Sequence, residues 1–90
     1  MFYLYLKTHA RTNIKYLGQT REDPYTYAGS GARWLNHLRL HGDEVDTEIL
    51  WVGEDRNEMA TTGTRFAKMF NVVASDEFAN DSLESELDEH

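Results

Sequence analysis

The sequence contains no cysteine, one proline and no apolar run near the ~20 residues of a membrane-spanning helix. The first absence excludes a disulfide framework, a thiolate metal site and a thiol nucleophile. The last, with an N-terminus that lacks the pattern of a secretory signal, makes a cytoplasmic protein the default expectation. Ninety residues suffice for one domain with one small core and leave no room for a second. Five Tyr and four Phe spread along the chain indicate a folded globule rather than a disordered polymer.

Positive charge is also scarce, and its placement matters more than the net charge of −7. From residue 76 to the end the chain has Asp76, Glu77, Asp81, Glu84, Glu86, Asp88 and Glu89, with no Lys or Arg. Residues 1–42 instead carry Lys7, Arg11, Lys15, Arg21, Arg33 and Arg39 against only Glu22 and Asp23. Repulsion from an acidic tail fades beyond a Debye length of ~8 Å at physiological salt. A local anion site in the first half is therefore compatible with an acidic protein.

Hydrophobic periodicity gives the elements. Phe2, Leu4 and Leu6 alternate with Tyr3, Tyr5 and Lys7, the period-2 signature of a half-buried strand, and the alternation returns at Ile14–Gly18. The two predict an antiparallel hairpin joined by a polar loop. An irregular connection with the lone proline follows. Ser30 is the expected N-cap of a helix over Arg33–His41, stopped by Gly42. "VDTEILWVG" predicts a third strand with Val45, Thr47, Ile49 and Trp51 on one face. Met59, Phe66, Met69 and Phe70 mark a second helix over Asn57–Phe70, in which Gly63 costs ~1 kcal/mol against Ala and signals either close packing against a neighbour or a tolerated flaw. Ser75 caps one further turn, and residues 81–90 read as a disordered acidic tail in which Leu83 and Leu87 make at most a weak turn. The order β-β-α-β-α is an α+β fold, a small three-stranded antiparallel sheet flanked by helices, over residues 1–80.

Several residues carry potential chemistry, each with a plainer alternative. Tyr5 and Tyr16 share a sheet face if the hairpin forms, where phenols can donate to a phosphate; equally, tyrosine is a common strand residue with one wet end. Arg33 and His37 are four apart on one helix face. Like charges at that spacing repel when the histidine is protonated, so local stability does not call for the pair. A shared anion does, since a guanidinium matches phosphate oxygens and an imidazole donates or moves a proton; an exposed polar face is the plainer account. His37 and His41 have two-histidine metal spacing but no accompanying carboxylate motif. "GSG" at 29–31 lacks the lysine of a nucleotide loop and reads as a turn, and Trp34, Leu35 and Leu38 read as core.

Taken together, these pieces resemble the GIY-YIG nuclease family, in particular its short phage homing-endonuclease-like members. "YLY" (Tyr3 to Tyr5) stands where the family has GIY, "YLG" (Tyr16 to Gly18) where it has YIG, and "RWLNH" supplies an arginine and a histidine one turn apart. "YAGSG…HG" and "FNVVASDEFAN" resemble the extended pattern of the phage members. The resemblance implies metal-dependent hydrolysis of a DNA phosphodiester with Mg²⁺ or Mn²⁺. Tyr5 and Tyr16 would then orient phosphate and water, Arg33 would stabilise the transition state and His37 would assist proton transfer. It also implies a metal-binding glutamate on the second helix, where Thr61 stands instead. Threonine is a poor sole ligand for Mg²⁺, leaving Glu58, about one turn earlier, as the nearby candidate. Asn71 is matched with a polar residue that follows the glutamate.

Two function classes follow. One is a phage-type DNA endonuclease domain of weak or no activity. The other is a catalytically degenerate module that binds DNA, or a basic protein partner through the acidic tail.

Overall fold

The computed structural model describes residues 1–72 and 74–80. The tail 81–90, with Leu83 and Leu87, lies outside the described residues. Three strands and two helices follow one another as β1 (Phe2–His9), β2 (Lys15–Thr20), α1 (Ala32–His41), β3 (Val45–Gly53) and α2 (Arg56–Phe70). The sheet is antiparallel in the order β2-β1-β3, so β1 is central. This is the expected α+β architecture, with the two helices on opposite faces of the sheet.

Period-2 alternation in β1 sorts its side chains between those faces. Leu4 and Leu6 lie opposite Gln19 and Leu17. They pack with Ala67, Phe66 and Phe70 of α2 and with Val72 and Phe78 beyond it. The inward side of α2 is Met59, Gly63 and Ala67, spaced four apart. Gly63 is thus a packing residue rather than a tolerated flaw. Met69 projects to solvent at 65% exposure and is no part of the apolar stripe.

The opposite face holds Tyr5, Lys7 and His9, which are buried rather than half wet because α1 and the loop before it lie over them. Trp34 is the buried residue of α1, and Leu38 packs beside it against Tyr5 and Tyr16. Leu35, expected in the core, is exposed. A single α1 face meets the sheet, and position 35 is turned about 100° from Trp34.

Two irregularities correct the sequence reading. The β1–β3 register shifts between Leu4 and Tyr5, pairing Leu4 with Trp51 but Tyr5 with Ile49. Leu50 is the extra residue of this bulge, so Leu50 and Trp51 both pack on the leucine face. Trp51 therefore leaves the face of Val45, Thr47 and Ile49. Secondly, "EFAN" is no mere end of a turn. Ser75 Oγ does accept the Glu77 N–H at 3.1 Å, but the segment then covers the outer edge of β2. Lys15 N–H donates to Glu77 O at 2.7 Å and Ala79 N–H to Lys15 O at 2.8 Å. No helix among the described residues is long and apolar enough to cross a membrane.

Candidate functional site

Position 16 of β2 is diagonal to position 5 of β1, because Tyr5 pairs with Gly18 and Tyr16 with Lys7. The two phenol rings accordingly meet on the α1 face, with centroids 6.2 Å apart. Gly18 makes this possible: a Cβ there would stand 2.5 Å from Tyr5 Cζ and 2.7 Å from Tyr16 Cε2. Tyr16 stacks on Trp34 at 5.4 Å and 13°, and Trp34 lies nearly parallel to His37 at 6.2 Å. The sequence-expected Tyr5, Tyr16 and His37 are thus joined into one aromatic ladder, with Trp34 as the middle rung. Gly29, with φ +108°, lies against the same rungs, and a Cβ would approach Trp34 Cδ1 to 2.8 Å.

Both phenols are closed off from solvent. The Tyr16 hydroxyl accepts the Gly31 N–H at 3.1 Å and lies 3.4 Å from Ser30 Oγ. Gly31 is the N-cap of α1 and supplies no side-chain bond. The expected cap Ser30 is displaced in this role by a phenol from β2, which satisfies an N–H at the helix start.

Arg33 and His37 open outward. Arg33 Nη1 donates to Asn80 O at 3.1 Å. Arg33 and His37 share a surface cavity of about 270 Å³ with Ile14, Asn36, Leu40 and Asp76. Leu40 also borders a neighbouring cavity of about 480 Å³, whose walls include Arg11, Thr12 and His41. One side of α1 therefore presents Arg33, His37, His41 and, from the β1–β2 turn, Arg11 as a continuous row. His37 Nε2 is 2.7 Å from Thr12 Oγ1. Burial, reinforced by His41 and then His9, holds the His37 imidazole below its ordinary pKa.

Three residues of the site escape sequence reasoning. Asn80 is buried, and its side chain makes two bonds to one residue: Oδ1 accepts the Leu17 N–H at 3.1 Å and Nδ2 donates to Leu17 O at 2.9 Å. It locks the middle of the "YLG" strand while its own carbonyl holds Arg33. His9 is fully buried. Its Nδ1 accepts from Arg11 and Thr12 N–H, which leaves Nε2 to carry the proton it donates to Gly42 O at 2.9 Å. Lys7 is also buried, donating to Pro24 O at 2.7 Å and Thr47 Oγ1 at 2.8 Å. For Lys7 and His9 the available signal was period 2 itself, since residues 5, 7 and 9 share a face.

The remaining candidates lie elsewhere. Glu58 sits in the first turn of α2, where its N–H is capped by Asp55, and borders a depression with Asp55, Thr61, Thr62 and Arg65. Thr61 is exposed on α2's outer side. That helix packs on the leucine face, whereas the tyrosines face α1. Asn71 is the left-handed C-cap of α2, with φ 54° and its N–H on Ala67 O and Lys68 O, a helix-ending role. Among the described residues no group of three His, Asp or Glu side chains is placed to hold a metal ion. His9, His37 and His41 do cluster by their rings, yet both His9 nitrogens are engaged. Asp76 is the carboxylate that shares the cavity of Arg33 and His37, whereas Glu58, the candidate for the metal glutamate, is on the helix that packs on the opposite face of the sheet. Comparison of the chain with protein-family models, curated proteins and solved structures gives no match.

Proposed function

We propose that the chain is a GIY-YIG-type domain that engages the phosphate backbone of DNA along α1, with phosphodiester hydrolysis weak or lost. The observation that carries this reading is the row of Arg11, Arg33, His37 and His41 along two adjoining cavities. A guanidinium offers paired donors to phosphate oxygens, and a row along a helix suits a repeating polyanion better than an isolated ion. Behind that row the Tyr5–Tyr16–Trp34 ladder and Asn80 fix the helix, so the cations are held in place by a rigid layer.

The endonuclease reading keeps Tyr5, Tyr16, Arg33 and His37 as its machinery, and Mg²⁺ or Mn²⁺ as its cofactor. Against it stand the burial of both phenols and the lack, among the described residues, of a group of three His, Asp or Glu side chains placed for a metal. The binding module is the reading those two facts favour. Its test is fluorescence anisotropy on a short duplex at several salt concentrations, with plasmid nicking assayed in parallel. The two arginines of the row, Arg11 and Arg33, set a shallow slope of log K against log salt, about −1.8 for two phosphates. Arg33→Ala should reduce the slope by about one phosphate while the melting temperature stays within a few degrees. Salt-independent binding, or none, would overturn the proposal. Nicking in Mg²⁺ or Mn²⁺ that disappears in Arg33→Ala would move the chain to the endonuclease class.

A further inference from the structure

A further cavity on the α1 face, of about 220 Å³, lies between β1, β3 and the loop before α1. Its walls include Lys7, Tyr25, Tyr27, Leu38, Asp43 and Thr47. The volume is below the ~300 Å³ at which sites for whole drug-sized ligands begin, so it suits one planar ring system. Its chemistry is mixed in a specific way. Lys7 is a donor only, Asp43 when ionised is an acceptor only, and two phenol rings and Leu38 supply apolar surface.

From these we infer that the cavity is a pocket for a single nucleobase with the hydrogen-bonding edge of guanine. Guanine presents two adjacent donors, N1–H and the N2 amino group, which match the two oxygens of a carboxylate. It also presents O6 and N7, which match an ammonium. Adenine offers N6–H₂ beside the unprotonated N1, and cytosine has one donor group, so neither satisfies both ends as well. Stacking on an exposed aromatic ring is how bases withdrawn from a helix are commonly held. Tyr25 is such a ring, 64% exposed.

Two features show that the pocket is ordered before any base arrives. Asp23 fixes the loop: its Oδ1 accepts the Tyr25 N–H at 2.9 Å, and its carbonyl accepts the Tyr27 N–H at 2.9 Å. Lys7 Nζ is fixed by Pro24 O and Thr47 Oγ1, two neutral oxygens, which leaves the third of its three N–H donors for an occupant. Burial lowers the Lys7 ammonium from the ordinary lysine value, with Asp23 acting in the opposite sense. An acceptor brought by a base therefore offsets a desolvation that the folded protein already carries. Lys7 Nζ also lies 5.2 Å from the centre of the Tyr5 ring, so the pocket adjoins the aromatic ladder. The base could belong to a free nucleotide or to a nucleic-acid strand, and the pocket chemistry is the same for both.

The inference stands on this cavity and not on the row along α1, so either can fail alone. The test is titration of the ¹⁵N-labelled full chain with GMP, AMP, CMP, XMP and inorganic phosphate, followed by amide shifts. GMP should move the amides of residues 25–28, 43 and 47 at concentrations where AMP, CMP and phosphate do not. Asp43→Asn, an exposed loop substitution, should weaken GMP about tenfold and strengthen XMP, whose O2 acceptor faces the new amide N–H₂. Tyr25→Ala should weaken GMP without disturbing the fold. An oligothymidylate with one guanine is the last arm: tighter binding than GMP at the same amides assigns a strand-borne base, and equal binding a free nucleotide. Equal shifts from GMP, AMP and phosphate, an unchanged preference in Asp43→Asn, or no shift with millimolar GMP would each overturn the inference.

Discussion

Gly18→Ala should disrupt the packing of the aromatic layer. The added carbon would stand 2.5 Å from Tyr5 Cζ and 2.7 Å from Tyr16 Cε2, both far inside contact distance. Neither ring can withdraw into solvent, because both are fully buried, and Tyr16 is stacked on Trp34. Overpacking of this kind costs about 1–3 kcal/mol, and two blocked rings put the expectation at the upper end, about 2–3 kcal/mol. For a domain of this size that is a fall in melting temperature of roughly 10–20 °C, measured by circular dichroism. Gly42→Ala is the comparison. Its φ is +93° and ψ 174°, and nothing lies within 4 Å of the new carbon, so it reports backbone strain alone, about 1–3 kcal/mol. A cycle with Tyr5→Leu isolates the Tyr5 half of the clash, since leucine lacks the Cζ that the added methyl would strike. The double variant should be more stable than additivity predicts, by at least about 1 kcal/mol. Additive losses, or a Gly18→Ala protein melting within about 3 °C of the parent, would refute the packing argument.

Asn80→Ala should cost about 2–4 kcal/mol in urea denaturation, because it leaves the buried N–H and C=O of Leu17 without their partners; a loss below about 1 kcal/mol would show that the edge of β2 holds without it. His37 is held below its ordinary pKa of ~6.5, so the folded state favours its neutral form. Its contribution is therefore present above pH ~6.5 and lost as the pH falls, and His37→Gln should flatten stability between pH 7 and 5; an unaltered pH slope in that variant would count against the assignment. Thr61→Glu should fold normally and still fail to nick plasmid in Mg²⁺, since position 61 faces solvent on the helix that packs away from the tyrosines; Mg²⁺-dependent nicking by this variant would overturn that placement.

The elements themselves were legible because each follows a short-range rule: alternation in β1, the helical spacing of Met59, Phe66 and Phe70 in α2, and Gly42 ending α1 with its N–H on Leu38 O. What depends on the third dimension was less so. Alternation shows that Tyr5 and Lys7 share a face but not that a helix lies over it, so those residues were expected half wet. The bulge at Leu50 is one residue of slippage, enough to move Trp51 to the opposite face without altering the local pattern. Ser30 satisfied the sequence signature of a cap, yet Tyr16, fourteen residues earlier, reaches the helix start. Asn80 carried no periodic signal, because its function rests on pairing with a strand 63 positions away. Of the expected site, the Tyr5, Tyr16, Arg33 and His37 group was legible as residues on shared faces. Glu58 and Asn71 follow only from the family resemblance, and a match along the chain says nothing of the sheet face that the helix will cover.

The order in the cleft derives from polar bonds as much as from apolar burial. Leu4 and Leu17 bury hydrocarbon against α2, each worth about 1.5–3 kcal/mol, but such contacts are tolerant of register. Buried polar groups instead find specific partners distant in sequence: Lys7 at Pro24 and Thr47, His9 at Gly42, Tyr16 at Gly31, Leu17 at Asn80. A shift of β1 by two residues would preserve its leucines on the apolar side, yet it would break the Lys7 and His9 bonds and leave those groups buried and unsatisfied. Each such group costs about 1–3 kcal/mol, more for a charged one, so the penalty rivals the whole stability of a small domain. The polar face thus fixes where α1 begins, where the loop at 24–31 runs and where Arg33 points. An apolar replacement for Lys7, such as methionine, is expected to leave the chain folded while loosening that register. Broadened amide resonances in residues 24–31 at unchanged melting temperature are the expected result, and sharp, parent-like resonances there would mean that the apolar face alone sets the register.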